Sequence, residues 1–183
     1  ERQIKQLHSV GIKDITLVVG YMKEKMFYLE EKYGVEIVVN EDYYRYNNTS
    51  SMMLVANKLS NTYICSSDNY FEKNPFEKYV YKGYYSSVYE EGETDEYCIS
   101  FDKKDRIIDA KVGGCNSWVM LGHVYFDREF SNKFSSILRE EYKKQAVKEG
   151  LWEDLYIRFI SELDLRIRRY SKDIIREFDS LDE

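Results

Sequence analysis

The amino-acid sequence predicts an α/β fold with a mixed, mostly parallel central sheet flanked by helices. Three observations support this class. Helix-like and strand-like hydrophobic spacing alternate through residue 65, short strand-like runs with polar turns follow after residue 80, and helical spacing returns from residue 132. Alternating helices and strands with short connections form right-handed crossovers and hence a parallel sheet. Closely spaced strands favour antiparallel or mixed pairing.

The first half of the chain supplies the predicted parallel strands. Helical spacing over residues 2–10 predicts a helix that Gly11 ends. The run over 14–20 has almost no polar side chain, as in a strand buried on both faces. The other elements expected here are a helix over 23–33 with Met26, Phe27 and Leu29 inward, a strand over 35–39, a loop over 41–50, a helix over 51–58 and a strand over 62–65.

The second half is expected to be more antiparallel and to end in helices. Its predicted strands cover 84–89, 96–101, 106–112, 117–126 and 174–178, and its predicted helices cover 132–148 and 152–163. No internal repeat, low-complexity tract or linker interrupts the pattern. Because 183 residues would divide into two rather small domains, we expect a single domain over residues 1–183.

Composition argues against several classes of protein. The chain is 43% hydrophobic and 33% charged, as is usual for globular proteins, and its net charge of −6 disfavours nucleic-acid binding. Its three cysteines are odd in number and none has metal-ligand spacing, which favours a reducing compartment. No apolar run is long enough to span a bilayer. We therefore expect a cytoplasmic protein with neither a membrane nor a nucleic-acid partner.

Two aspartates are the first candidates for chemistry. Asp68 follows the predicted strand over 62–65, and ligands of open α/β sheets bind at the carboxyl ends of parallel strands. A carboxylate there, beside Asn69, suits a hard cation such as Mg²⁺, although an Asp-Asn pair also forms turns. Asp154 opens a predicted helix, where an acidic residue favours the helix dipole, so capping is the simpler explanation of Asp154 taken alone.

Two further segments carry groups that recognise ligands. Residues 46–51 are rich in amides and hydroxyls that can read a base edge or a phosphate, although such composition is also usual in loops. Residues 94–97 place a tyrosine beside carboxylates, as a quaternary ammonium group requires, although an ordinary tyrosine at the start of a strand is the simpler explanation of this segment taken alone. The only histidines, His8 and His123, have no nucleophile or metal-ligand pattern around them, so His123 is expected to be structural.

An ordered set of short segments spans essentially the whole chain. The set comprises Glu1-Arg2-Gln3-Ile4, Gly11-Ile12-Lys13-Asp14-Ile15, Val19-Gly20-Tyr21-Met22-Lys23-Glu24, Lys32-Tyr33-Gly34-Val35, Tyr46-Asn47-Asn48 with Ser51, Tyr63 through Asp68-Asn69-Tyr70, Ser87-Val88-Tyr89, Thr94-Asp95-Glu96-Tyr97, Gly122 with Phe126, Asp154-Leu155-Tyr156 and Glu177-Phe178-Asp179-Ser180. It resembles the bacterial CTP:phosphocholine cytidylyltransferases, within the sugar-phosphate-type nucleotidyltransferases, whose fold is that of the nucleotide-diphospho-sugar transferases. No single motif carries the resemblance; the order of the set does.

The resemblance implies transfer of a cytidylyl group from CTP to phosphocholine, giving CDP-choline and pyrophosphate, with Mg²⁺ as cofactor. It implies that Asp68 is the principal metal carboxylate, that Asp154 is the second, and that the two converge at one rim of the sheet. The remaining implied roles are contact with cytosine and ribose for Asn47, Asn48 and Ser51, and a choline pocket for Tyr97, Glu96 and Tyr156.

Two departures from the family pattern leave alternatives open. The family often has an acidic residue two positions before the metal aspartate, where this chain has Ser66. The family also begins with a strand, a Gly-rich loop containing an Arg, and a Lys further on, all before the region that Glu1 matches. We therefore expect a nucleotidyltransferase domain that is N-terminally incomplete, lacks its first strand and is inactive by itself. Another acceptor (aminoethylphosphonate or a sugar 1-phosphate), a non-catalytic domain with the same fold, a fused choline-kinase-like domain and the oligomeric state stay open.

Overall fold

The computed structural model describes residues 1–178. Its contacts group the chain into two compact units, which are described separately. Unit 1 comprises Glu1–Leu59 with Asn132–Arg158, and unit 2 comprises Ser60–Ser131 with the chain from Phe159 onward. The expectation of a single domain stays a prediction. Within the described residues, none of the helices is long and apolar enough to cross a membrane.

Unit 1 is built on a short parallel sheet. Its elements are α1 (Arg2–Ser9), β1 (Thr16–Val19), a 3₁₀ turn (Lys23–Lys25), α2 (Tyr28–Tyr33), β2 (Glu36–Val39), α3 (Asn48–Leu54), most of α4 (Arg128–Glu141), α5 (Gln145–Glu149) and α6 (Trp152–Arg158). β1 pairs with β2 in parallel, with Thr16 opposite Glu36. Ile4, Leu29 and Val35 form a buried cluster beside the sheet. The predicted helix–strand–helix–strand order of this region is confirmed.

The predicted helix over 23–33 is wrong in its first half. Met22 adopts a left-handed conformation with φ of 53° and begins a separate 3₁₀ turn, and α2 starts only at Tyr28. Met26 and Phe27 lie between the two pieces, outside both helical segments. Leu29 is buried as predicted, whereas Met26 and Phe27 are each 41% exposed.

The C-terminal helices of unit 1 are shorter than predicted. The helix expected over 132–148 is divided into α4 and α5, and the helix expected over 152–163 ends at Arg158. Glu141, at the end of α4, accepts hydrogen bonds from Lys144 and Arg158, which ties the break in the helix to α6. The ring of Phe134 on α4 packs edge-on against Trp152 of α6, with 5.8 Å between centroids. These contacts hold α6 at both ends, through Trp152 and Arg158.

Unit 2 is dominated by one long β-hairpin. Its strands are β3 (Thr62–Ile64), β4 (Asn69–Phe71), β5 (Tyr84–Phe101), β6 (Ile107–Phe126), β7 (Arg166–Tyr170) and β8 (Ile175–Glu177). A four-stranded sheet has the order β3-β6-β5-β7, and β4 pairs with β8 separately. β5 and β7 are parallel, and the other pairs of this unit are antiparallel. The mixed α/β class is thus confirmed.

Four strand predictions in this unit merge into two strands. The runs over 84–89 and 96–101 are both β5, and those over 106–112 and 117–126 are both β6. Between Glu90 and Tyr97 the pairing with β6 shifts register, and glycines such as Gly92 have a positive φ (82°). These features make the local sequence resemble turns between separate strands. β3, expected to be a parallel strand, pairs antiparallel with β6. β7 was not predicted, because three of its five residues are arginines.

The last predicted strand is confirmed as β8. Its partner is β4, with Asn69 opposite Glu177 and Phe71 opposite Ile175. This pairing brings residues more than 100 positions apart in the chain side by side. Asp179 and Ser180 belong to the short segments that carry the family resemblance, and they lie outside the described residues.

Candidate functional site

Asp68 lies in unit 2, in the exposed segment between β3 and β4. Its carboxylate oxygen Oδ1 accepts a hydrogen bond from the Nδ2 group of Asn69, at 3.2 Å. The same Nδ2 group donates to Oε1 of Glu177, at 3.1 Å. One buried amide therefore holds two carboxylates at one edge of the β4–β8 ladder.

Two carboxylates in this position form an oxygen donor set of the kind that a hard cation takes. Mg²⁺ is usually bound through one or two carboxylates together with substrate phosphates, so Asp68 and Glu177 fit it. Within residues 1–178, no group of three or more His, Cys, Asp or Glu side chains is arranged to hold a metal ion by itself. Sequence reasoning missed Glu177, since only the pairing of β8 with β4 brings it to Asp68.

Asp154 lies in unit 1, in the first turn of α6. Its Oδ2 atom accepts a hydrogen bond from the backbone N–H of Leu151 at 3.2 Å, and its own N–H donates to the Leu151 carbonyl at 3.2 Å. This is the acidic half of a capping box, which satisfies an N–H group that the helix cannot. The capping explanation of Asp154 is supported, and a metal-binding role for this exposed carboxylate stays a prediction.

The amide-rich loop of unit 1 forms the start of α3. Asn47 caps the helix, because its Oδ1 atom accepts the Asn48 N–H at 2.8 Å. This cap explains why α3 begins three residues before the predicted start at 51. Asn48 reaches α6, where its Oδ1 accepts the Trp152 N–H at 2.8 Å and its Nδ2 donates to Glu153 at 3.2 Å. The structure thus brings Asn48 to the helical turn that carries Asp154.

Ser51 is held by a residue that sequence reasoning did not consider. Its hydroxyl accepts a hydrogen bond from Nδ2 of Asn40 at 3.1 Å, and the same amide donates to Ser50 at 2.8 Å. Asn40 is 5% exposed and directly follows β2, so it ties the carboxyl end of a parallel strand to α3. The sequence signal that could have identified Asn40 is a polar residue immediately after the apolar run of β2.

The residues of the predicted choline pocket differ in environment. Tyr97 is half-buried on β5 opposite Val112, and its neighbour Glu96 is exposed. Tyr156 on α6 is fully buried. The predicted site residues therefore divide between the units, with Asp68, Glu96 and Tyr97 in unit 2 and Asn47, Asn48, Ser51, Asp154 and Tyr156 in unit 1. Convergence of the two groups stays a prediction.

His123 has the surroundings of a structural residue. It is completely buried in unit 2, and its Nε2 atom lies 2.8 Å from the hydroxyl oxygen of Tyr84. Its other ring nitrogen, Nδ1, is buried and has no hydrogen-bond partner. Burial, reinforced by the positive charge of Arg168, lowers the pKa of His123 to about 3. The ring is therefore neutral at physiological pH.

Comparison with known proteins identifies relatives along the whole chain. It is 34% identical over 187 residues to the choline-phosphate cytidylyltransferase of Streptococcus pneumoniae, a match that covers 100% of this chain and 80% of the relative. It is 30% identical over 187 residues to the 2-aminoethylphosphonate cytidylyltransferase of Lancefieldella rimae, covering 100% of this chain and 76% of that relative. No protein-family model matches.

Solved structures support the same relationship. The CTP:phosphocholine cytidylyltransferase from Streptococcus pneumoniae superimposes with a TM-score of 0.95 and 33% identity, over 99% of this chain and 79% of that one. The inositol-1-phosphate CTP transferase from T. maritima gives a TM-score of 0.66 at 14% identity, over 98% of this chain and 77% of that one, and shows the fold alone. The chain is thus a nucleotidyltransferase that belongs to the bacterial choline-phosphate cytidylyltransferase family.

Proposed function

We propose that this protein transfers a cytidylyl group from CTP to phosphocholine. A phosphate oxygen of phosphocholine attacks the α-phosphorus of CTP, the bond to the β-phosphate breaks, and CDP-choline and pyrophosphate leave. The observation that carries the proposal is the full-length similarity to the pneumococcal enzyme, at 34% identity and a TM-score of 0.95. We also propose a cytoplasmic location, because the three free cysteines suit a reducing compartment.

The acidic edge of unit 2 is proposed to hold Mg²⁺. When bound, Mg²⁺ neutralises charge on the triphosphate. Asp68 and Glu177 are the proposed protein ligands, and Asn69 orients both through its amide. Asp154 is proposed as a second metal carboxylate, in addition to its hydrogen bond to Leu151.

We propose that the protein recognises the acceptor substrate by its quaternary ammonium group. Tyr97 offers a half-buried ring and Glu96 an exposed carboxylate, so a cation bound there gains both cation–π attraction and a counter-charge. Tyr156 is proposed to complete this pocket. Asn47, Asn48 and Ser51 are proposed to contact the cytosine and ribose.

Aminoethylphosphonate is the second candidate acceptor, because a relative named for that substrate is 30% identical to this chain. Pyrophosphate release, measured with the full-length protein and each acceptor in turn, separates the two. We expect a higher kcat/KM with phosphocholine. A higher kcat/KM with aminoethylphosphonate would make that compound the substrate.

Replacing Tyr97 by Ala tests the pocket. Loss of one cation–π contact predicts a rise of roughly 2- to 30-fold in the KM for phosphocholine, with the KM for CTP unchanged. Tyr89→Ala is the matched control, since Tyr89 is a partly exposed tyrosine on the same strand whose hydroxyl donates to the Asn116 carbonyl. Equal effects of Tyr97→Ala on both substrates would contradict the choline role.

The metal carboxylates are tested with isosteric amides. We expect Asp68→Asn to lower kcat by at least about a hundredfold, because a neutral amide binds Mg²⁺ poorly. Asp109→Asn, on an exposed position of β6, is the control and should remain active. Unchanged activity of Asp68→Asn would refute the proposed metal site.

Asp154 requires two variants, because it also caps α6. Asp154→Asn keeps an oxygen that can accept the Leu151 N–H, whereas Asp154→Ala loses this bond and should destabilise the protein by about 1 kcal/mol. If Asp154 binds metal, both variants lose activity. Full activity of Asp154→Asn would leave Asp154 as a cap alone.

A further inference from the structure

Unit 2 carries a cleft that none of the proposed catalytic and substrate-binding residues line. Its volume is about 350 Å³, which is at the lower end of the range usual for small-molecule sites. Two stretches of chain form it: the segment before β5 and the start of β7. The lining residues are Glu77, residues 79–84 and residues 166–168. We call it the Arg166 cleft.

The segment before β5 is irregular, yet it is fixed along its length. Three contacts hold it: the Tyr63 hydroxyl to the Glu77 backbone at 3.1 Å, the Tyr125 hydroxyl to the Val80 carbonyl at 3.3 Å, and the Gly83 N–H to the Asp127 carboxylate at 2.9 Å. On the opposite side, the Arg166 N–H donates to the Gly83 carbonyl at 3.1 Å. Both walls of the cleft are therefore formed without a ligand.

Two opposite charges within the cleft, those of Arg168 and Glu77, neutralise each other. The guanidinium of Arg168 forms an ion pair with Glu77 and lies over the ring of Tyr84, 4.7 Å from its centroid. Among the described residues that line the cleft, Glu77 is the only carboxylate, and one of the three lining cations thus neutralises it. The other two, Lys82 and Arg166, decide the charge of the cleft.

Arg166 and Lys82 are not paired in this way, although Arg166 lies close enough to Asp105 to help lower the pKa of that carboxyl group. In the part of the chain that the structure describes, neither side chain makes a hydrogen bond or an ion pair, and Nε of Arg166 is buried without a partner. Asp105, the nearby acid, is paired with Arg169 at 2.7 Å. A buried charged donor that lacks a partner is unfavourable. An anion in the cleft would satisfy it.

Exposed aromatic rings accompany these cations. Tyr79 is 67% exposed and Tyr81 is 89% exposed, which is unusual for large side chains in the wall of a cleft. The ammonium group of Lys78 lies over the ring of Tyr79, at 5.3 Å. Exposed rings beside cations bind bases by stacking and phosphates by charge.

We propose that the Arg166 cleft binds a nucleotide, with its phosphate on Arg166 and Lys82 and its base stacked on Tyr79 or Tyr81. This site is separate from the proposed metal carboxylates and does not depend on the transfer reaction. The exposed rings favour a nucleotide over a simple phosphate, because a phosphate would stack on neither tyrosine.

The test is isothermal titration of the full-length protein with CMP in EDTA, in an Asp68→Asn background that disables the proposed metal site. Arg166→Gln and Lys82→Gln should each weaken CMP binding about tenfold, because each removes a charged contact. Lys103→Gln changes an exposed lysine at the hairpin turn and is the matched control, with no expected effect. Wild-type affinity in both cleft variants would overturn the proposal.

A second measurement tests the base. Tyr81→Ala should weaken CMP several-fold and leave inorganic phosphate binding unchanged. Amide chemical shifts of residues 79–84 and 166–168 should move on addition of CMP. Equal affinities for inorganic phosphate and CMP, or shifts confined to other residues, would refute a nucleotide site here.

Discussion

Mild acid should destabilise unit 2 through His123. The ring is fully buried and packs against the aromatic rings of Tyr63, Phe71, Phe76, Tyr84 and Tyr170, with centroid distances between 5.1 and 5.7 Å. Protonation would place a cation among them and would make both ring nitrogens donors, although Nδ1 has no acceptor. The folded protein therefore resists protonation down to a pKa of about 3.

The direction and size of the effect follow from the two pKa values. The histidine of the unfolded chain titrates near 6.5, so between pH 6.5 and about 3 the unfolded state binds more protons than the folded state. The free energy of unfolding then falls with falling pH, by about 1.4 kcal/mol per pH unit. At pH 5.0 the loss due to His123 is about 2 kcal/mol. Above pH 6.5 its contribution is constant.

Urea unfolding at pH 7.5 and 5.0 measures this loss. Comparison with His123→Gln isolates it, since that variant should lose about 2 kcal/mol less between the two pH values than the wild type does. His8→Gln removes the other histidine and should behave as the wild type. The reasoning fails if His123→Gln shows the full wild-type loss. If that variant does not fold, an NMR titration of the wild type decides, and a His123 midpoint above pH 5 would refute it.

Two further predictions concern single positions. A Cβ atom at Gly122 would lie 2.7 Å from Oγ of Ser86 in a backbone with φ of 103°, so Gly122→Ala should destabilise the protein by about 1–3 kcal/mol. Gly92→Ala, at φ of 82° with open space around it, should cost less in the same urea experiment. Iodoacetamide at pH 7.5 should modify exposed Cys115 well before Cys65, because burial raises the pKa of Cys65 to about 12. Peptide mass spectrometry follows both sites, and equal rates would contradict the reasoning.

The elements that sequence predicted well are those whose signal is local. β1 and β2 are short apolar runs bounded by polar residues and glycine, and they form the expected parallel pair. α1 has apolar residues at helical spacing, and both Ile4 and Leu7 are buried. In these cases the hydrophobic spacing within one element is sufficient to predict it, because the spacing results from the burial of one face of that same element.

The elements that sequence did not predict depend on distant partners. β7 is arginine-rich, and it becomes a strand because its backbone pairs with β5. Its arginines are accommodated by contacts that no local pattern records, such as that of Arg168 with Glu77. Glu177 lies beside Asp68 only because β8 pairs with β4. Spacing along the chain contains no information about such pairing, so neither β7 nor the position of Glu177 beside Asp68 was predicted.

The candidate residues of unit 1 also have structural roles, and this changes how their substitution must be interpreted. Asn48 supplies the acceptor for the first N–H of α6, and Asp154 supplies the acceptor for the N–H that precedes it. Removing either side chain leaves an unpaired donor at a helix start, which destabilises a protein by about 1 kcal/mol whether or not the residue touches a substrate. Lost activity in an alanine variant therefore does not identify a nucleotide or metal contact. A replacement must keep the hydrogen bond and change the charge, as Asp154→Asn does. Only such a variant distinguishes the role of the residue in stabilising α6 from a role in catalysis or binding.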